Sequence, residues 1–280
     1  MKKVKVKIPA KINLTLDVLG NKDGYHEIES LVASVNVYDT VTVRKRRENF
    51  ISVAFRGEPI SVSPLNSNAY FAAKEFKKKY ECGGVDILIE RNIPAAAGLG
   101  GSSADIAGTL LALKKLFGVS ESVEHIANKL GSDVAYMMHG GYAVMRNRGE
   151  KVEYLTDIKT KFHLLLLKGT CGVSTADCYA KYDELGRTYF KATQIATRFL
   201  REKDADKLFG TIKNDLYEGA KTITPEIEEG LNALKEFGAA AMTGSGSAIY
   251  MLFKTKKERD AAYKALFAKF GNRLIKAETV

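Results

Sequence analysis

At 280 residues, 45% hydrophobic and 27% charged, the chain has the composition of a globular protein with one large domain or two ordinary ones. Its longest aliphatic run, Leu164 to Leu167, is far too short to span a bilayer. Cys82, Cys171 and Cys178 show no CxxC spacing, so a reducing, cytoplasmic setting is expected in place of a disulfide framework. The net charge of +10 suits an anionic partner, but the basic runs 44–47, 77–79 and 254–259 are short and separate and read as solvated faces.

In chain order, Val4, Val6 and Ile8 alternate with lysines as an opening strand, with no apolar run of leader type behind them. Pro9 is expected to interrupt it, and alternation resumes with Ile12, Leu14, Leu16 and Val18. Period two then puts Lys11, Asn13, Thr15 and Asp17 on the other face, an ordinary wet strand face unless function claims it. Asn21–Gly24 is a turn signal, with Tyr25 and His26 at its exit. Strands are predicted over 28–37, 41–46 and 50–55. Asn66-Ser67-Asn68 can cap a helix carrying Ala72, Phe76 and Tyr80.

Val85, Ile87 and Ile89 mark a strand. Ile106, Leu110, Leu113 and Phe117 form a helical stripe that stops at Gly118. Between them lies Pro94-Ala95-Ala96-Ala97-Gly98-Leu99-Gly100-Gly101-Ser102-Ser103-Ala104. Glycines let backbone N–H groups approach a ligand, and a helix start adds unpaired donors and positive dipole. Together they suit an anion, most naturally phosphate. No lysine follows Gly101, which excludes a Walker loop, and Ser103 stands where a dinucleotide fingerprint needs a third glycine. A plain tight strand-to-helix connection is the alternative.

A helix is predicted over 120–130, followed by Gly131-Ser132-Asp133-Val134. Taken alone, Asp133 reads as a helix cap. Tyr142–Arg146 and 151–155 form a hairpin. A composition shift near 156 suggests domains over 1–156 and 157–280. Beyond it come a strand over 162–167, a capping box at Ser174–Asp177 opening a helix that carries Tyr179, and helices over 189–201 and 204–214. Thr224-Pro225 opens another helix. Strands over 239–242 and 249–253 flank a second glycine-serine loop, Thr243-Gly244-Ser245-Gly246-Ser247, placed for a second phosphate contact or serving as a hairpin loop. A helix over 256–270 and a strand over 274–277 close the chain.

Pro9-Ala10-Lys11-Ile12-Asn13-Leu14, Asp23-Gly24-Tyr25-His26-Glu27-Ile28, the 94–104 loop, Gly131–Val134, Gly172–Asp177, Asn214-Asp215-Leu216 and Met242–Ser247, in this order, resemble one family across nearly the whole chain. It is the 4-diphosphocytidyl-2-C-methyl-D-erythritol kinases, within the GHMP (galactokinase, homoserine, mevalonate and phosphomevalonate kinase) superfamily. The resemblance implies an α+β, two-domain GHMP kinase fold: an N-terminal domain of ribosomal-protein-like topology and a ferredoxin-like C-terminal domain. It implies ATP and Mg2+ as cofactors, a small cytidyl diphosphate substrate, and phosphorylation of an alcohol, with no nucleic acid or membrane partner. By matched position, Asp133 is the catalytic carboxylate and Lys11 its partner. Asn13 contacts the polyol, Tyr25 and Tyr179 flank the cytosine, His26 hydrogen-bonds it, and Thr243, Gly244, Ser245 and Gly246 join the substrate site.

The family loop usually has Gly-Leu-x-Gly-Gly-Ser-Ser before Asn or Asp. Here Gly98-Leu99-Gly100-Gly101-Ser102-Ser103-Ala104-Asp105 brings the serine pair one residue early. Magnesium ligands are not readable, and Ser102 and Ser103 stay equivalent. Another GHMP acceptor (mevalonate, homoserine or a sugar) is the alternative within the superfamily. A basic RNA-binding protein would leave both glycine-serine loops unexplained.

Overall fold

The computed structural model describes residues 2–22, 24–59, 62–186 and 191–280. Asp23 of the expected turn and motif, and residues 189 and 190 of the expected helix, lie outside the described residues. The chain divides into two compact units. The first holds the chain up to Ala10, Val37–Ala95 and Gly100–His139; the second holds Lys11–Asn36, Ala96–Leu99 and Gly140–Val280.

In the first unit, β5 (Val85–Arg91) alternates buried and half-buried residues, as its period-two sequence demands. It pairs antiparallel with the C-terminal part of β3 (Tyr25–Lys45), from Thr40↔Glu90 to Lys45↔Val85, and parallel with β4 (Ile51–Gly57). A parallel pair needs a crossover, and α1 (Asn68–Tyr80) supplies it. The Ser67 hydroxyl caps α1 by accepting from Tyr70 N at 3.3 Å. Next come α2 (Gly101–Phe117), α3 (Glu124–Leu130) and α4 (Val134–His139). Ile8, Val41, Phe76, Ile87, Leu110 and Leu113 are all buried. α2 stops where Gly118 enters the left-handed region at φ +72° and donates to Lys114 O.

In the second unit, one sheet runs β7 (Lys151–Tyr154), β6 (Tyr142–Asn147), the N-terminal part of β3, β2 (Thr15–Lys22) and β9 (Lys213–Asn214). A second sheet is antiparallel throughout, in the order β10 (Ala240–Met242), β11 (Ile249–Phe253), β8 (His163–Leu167) and β12 (Leu274–Glu278). Helices α9 (Glu226–Lys235) and α10 (Lys256–Phe270) pack on this sheet, burying Leu165, Leu167, Ile227, Leu231, Met251 and Leu266 in one cluster. Helices α5 (Thr175–Leu185), α6 (Ala192–Arg201), α7 (Ala205–Thr211) and α8 (Tyr217–Ile223) complete the unit.

Several sequence expectations change. Strand β1 (Lys3–Asn13) runs straight through Pro9, whose fixed φ suits extended chain, and the break falls at Leu14. The strands expected over 28–37 and 41–46 are one strand, β3. The helix expected from 120 begins at Glu124, because the Ser122 hydroxyl accepts Glu124 N and holds the preceding turn. The helix expected over 204–214 ends at Thr211; Ile212 is extended, and Lys213–Asn214 pairs parallel with Thr15–Leu16. Pro225, not Thr224, is the cap residue of α9, since Thr224 still ends α8.

The largest change concerns the polar face of β1 and β2. Lys11, Asn13, Thr15 and Asp17 are buried, not wet. The Asp17 carboxylate accepts Ala192 N at 3.1 Å and Thr193 N at 2.8 Å, satisfying the first donors of α6. Burial raises the Asp17 carboxyl above its ordinary range, and these donors partly offset it. Thr15 Oγ1 meets Thr193 Oγ1 at 2.7 Å.

Close packing in the first unit is tightest at Gly108, inside α2. A Cβ there would lie 2.5 Å from Val41 Cγ2 and 3.1 Å from Ile8 Cγ1. Gly108→Val is expected to destabilise the protein by about 1–3 kcal/mol through overpacking. Urea unfolding monitored by circular dichroism measures it; unchanged stability would mean that α2 can move off the sheet without cost.

Candidate functional site

The two glycine-serine loops meet within the second unit. Gly98 lies at φ +73°, and a Cβ there would sit 2.1 Å from the Thr243 carbonyl oxygen. Gly244 lies at φ +56°, and its added Cβ would meet Gly98 Cα at 2.8 Å. Only glycine at both positions permits this backbone contact. The Thr243 hydroxyl is within 3.3 Å of the Gly98 carbonyl, Ala248 N donates to Ala97 O at 3.2 Å, and Gly246 N closes its own turn on Thr243 O at 3.0 Å.

Asn13 holds this junction. Its Oδ1 accepts from Lys11 Nζ at 2.7 Å and Gly244 N at 3.0 Å, with Thr243 Oγ1 at 3.3 Å. Its Nδ2 donates to Ser30 Oγ at 2.7 Å, and the Ser30 hydroxyl in turn donates to Thr15 O. Its backbone N donates to Thr243 Oγ1 at 3.0 Å. The amide is 3% exposed, so these bonds form out of water, where leaving one unmade is costly. Lys11 N donates to Leu99 O at 3.0 Å, tying the same strand to the first glycine loop. On the other flank Asn214 Nδ2 donates to Met242 O at 2.9 Å and Gly244 O at 2.7 Å. Ser245 Oγ pairs with Thr175 Oγ1 at 3.0 Å.

The expected base-binding residues also fall in the second unit. His26 stacks on Tyr179 with ring centroids 4.5 Å apart and 23° between planes. Its Nε2 lies 2.8 Å from Asp183 Oδ1. Tyr25 is exposed, with the Arg148 guanidinium 4.1 Å above its ring. Sequence reasoning missed Asp183, Ser30 and Arg148. Asp183 lies one helical turn after Tyr179 on α5, and that spacing was the available signal.

The remaining expected residues, Ala96 to Leu99 apart, belong to the first unit. Pro94 and Ala95 lead out of β5 and Ile93. Gly100, at φ +79°, opens α2, and Gly101, Ser102, Ser103 and Ala104 form its first turn. Ser102 is exposed and Ser103 half-buried. The N–H groups of this turn carry the helix's positive end. Asp133, half-buried, precedes α4, and its carbonyl accepts Met137 N at 3.0 Å. Ala96, Ala97, Gly98 and Leu99 lie with the second unit, so the 94–104 loop divides between the two. Among the described residues no group of three or more His, Cys, Asp or Glu could hold a metal ion. No helix of the described residues is long and apolar enough to cross a membrane.

Gly98→Ala and Gly118→Ala form a matched pair, since both glycines have nearly the same φ, but only Gly98 faces backbone. Gly118→Ala is expected to cost about 1 kcal/mol for the left-handed conformation alone. Gly98→Ala should cost about 2–4 kcal/mol, because the Thr243 loop must also be displaced. Denaturant unfolding of both variants checks this; equal losses would mean that the loops are not in contact.

Comparison with known proteins fits this arrangement. The family model described as GHMP kinases N terminal domain matches residues 67–141, and that described as GHMP kinases C terminal matches 198–272. A 4-diphosphocytidyl-2-C-methyl-D-erythritol kinase of Bacillus velezensis is 35% identical over 267 residues, covering 93% of this chain and 91% of that one. The enzyme of the same name from Caldanaerobacter subterraneus subsp. tengcongensis is 34% identical, covering 94% and 93%. A crystal structure of 4-(cytidine 5'-diphospho)-2C-methyl-D-erythritol kinase superposes with a TM-score of 0.81 at 28% identity, covering 99% of both chains. Homoserine kinase from Cytophaga hutchinsonii superposes at 0.77 with 16% identity, covering 100% of this chain and 95% of that one, and shares the fold alone. The chain therefore belongs to the 4-diphosphocytidyl-2-C-methyl-D-erythritol kinase family of GHMP kinases, with that family's α+β, two-domain fold.

Proposed function

We propose that this protein is an ATP-dependent kinase that phosphorylates the 2-hydroxyl of 4-diphosphocytidyl-2-C-methyl-D-erythritol, in non-mevalonate isoprenoid precursor synthesis and in the cytoplasm. The observation that carries the reading is the joint built by Lys11, Asn13, Gly98 and Thr243–Gly244. It brings the Ala96–Leu99 part of the first glycine loop, the second glycine-serine loop and the Lys11–Asn13 part of the Pro-Ala-Lys-Ile-Asn-Leu motif together in a chain about one-third identical to kinases of that name along nearly its full length. Its N-terminal and C-terminal segments, 1–156 and 157–280, each carry one GHMP portion.

Phosphoryl transfer passes through a loose transition state, so catalysis rests on positioning and charge neutralisation. The 94–104 loop offers backbone donors to the ATP phosphates, with no need for a Walker lysine. Asp133 takes, or orients, the proton of the attacking hydroxyl. Lys11 offers its ammonium to the charge that grows on the transferred group; its Asn13 bond fixes the direction from which it does so. Thr243, Gly244, Ser245 and Gly246 line the acceptor side. Tyr25, His26 and Tyr179 take the cytosine, whose flat face suits aromatic stacking and whose edge suits an imidazole.

The donor set fits magnesium that arrives on ATP. Magnesium keeps waters and phosphate oxygens as ligands and needs few protein groups, and Ser102 or Ser103 can add a hydroxyl at the start of α2. Magnesium held there would supply neutralisation of phosphate charge.

Asp133→Asn is expected to lower kcat by about 10²–10⁴-fold while ATP still binds. Steady-state kinetics with the cytidyl acceptor and nucleotide titration measure the two separately. Turnover within a few-fold of the unaltered protein would remove Asp133 from the chemistry. Offered a panel of cytidyl, mevalonate, homoserine and sugar acceptors with Mg-ATP, the protein should phosphorylate the cytidyl compound in preference; preference for another would overturn the acceptor assignment.

A further inference from the structure

The first unit buries three charged side chains that the proposed chemistry does not use. Asp39 is fully buried, and Arg91 and Asp105 are each 6% exposed. They come from three elements. Asp39 lies on β3, Arg91 ends β5, and Asp105 follows the first turn of α2. One carboxylate oxygen, Asp39 Oδ1, accepts two successive backbone donors, Asn92 N at 2.6 Å and Ile93 N at 2.8 Å. Those donors immediately precede Pro94, where the loop begins. Arg91 Nε lies 3.6 Å from Asp105 Oδ2, a Coulomb pair longer than a hydrogen bond, just past the loop's exit. Arg91 Nη1 donates to Pro59 O at 2.9 Å, and Arg91 Nη2 lies 3.7 Å from where a Cβ on Gly101 would be. Glu58 N also donates to Arg91 O at 2.9 Å, a close approach that Gly57 permits at φ +89°.

Burying two carboxylates and one guanidinium is expensive for stability alone, and such clusters are weak stabilisers. Three of their atoms, Asp39 Oδ2, Asp105 Oδ1 and Arg91 Nε, lack a hydrogen-bond partner among the described residues. What the cluster does geometrically is hold both ends of one loop. We propose that Asp39, Arg91 and Asp105 are positioning residues that clasp the 94–104 loop at its entry and exit, setting its backbone donors for the phosphates of ATP. This rests on the reading of that loop as the nucleotide-phosphate site. Asp105, two places after the serine pair, lies buried beside Arg91.

Kinetics and hydrogen exchange on the full chain test this. Asp39→Ala and Arg91→Gln should speed amide exchange over residues 92–104 by about tenfold or more and raise KM for ATP more than they lower kcat. If either fails to fold, Asp105→Asn and the conservative Arg91→Lys carry the same readouts, with Arg91→Lys restoring part of the affinity because its charge remains. Unchanged loop exchange together with an unchanged KM for ATP in these variants would overturn the proposal. If the unaltered protein bound no ATP, the nucleotide reading would fall, and the exchange measurement would still decide whether the clasp holds the loop.

Discussion

One buried amide carries the second unit's organisation. Asn13 touches Lys11, the Thr243–Gly244 loop and β3 together, and it does so with both ends of its carboxamide. Its acceptor gathers an ammonium and a backbone N–H; its donor reaches Ser30, which relays to Thr15. A carboxylate there would lose the donated bond, and an apolar residue would strand several donors in a dry place. The chemistry proposed for Lys11 depends on this joint, because a flexible four-carbon stem becomes a directed charge only when its head is held.

The same strand face then builds outward. Thr15 joins Thr193, Asp17 receives the first donors of α6, and Asp215 accepts Val18 N at 3.0 Å. A polar stripe in the sequence thus becomes a buried hydrogen-bonded seam, fully committed at each step. Such a seam specifies one arrangement more sharply than apolar contacts do, because a shift of register would leave its members unpaired. The two glycines at 98 and 244 serve the seam as well, since any side chain at either position would hold the loops apart.

Much of this was legible in the chain, for reasons that differ by feature. Strands such as β5 and helices such as α2 announced themselves because one face of each meets a core and the period survives in the residues. The glycine loops stood out because runs of small residues beside serines have few other uses. Their contact with each other was not legible, since Thr243 lies 145 residues from Gly98 and nothing local encodes the meeting. The seam was not legible for a related reason. Alternation tells which residues share a face but not what covers that face, so at Lys11, Asn13, Thr15 and Asp17 a solvated face and a buried one read alike. Pro9 looked like a break because proline usually ends a strand, whereas here extended chain passes through it and the break comes at Leu14. Asp39, Arg91 and Asp105 gave no signal at all, because single charged residues on three elements become a cluster only after folding.

The account stands on the claim that the Asn13 amide fastens the second glycine loop to the strand bearing Lys11. A double-mutant cycle between Asn13→Ala and Thr243→Val, read by denaturant unfolding, tests it directly. The account predicts a coupling energy of about 1–3 kcal/mol between the two sites. Additive losses, with coupling indistinguishable from zero, would contradict it.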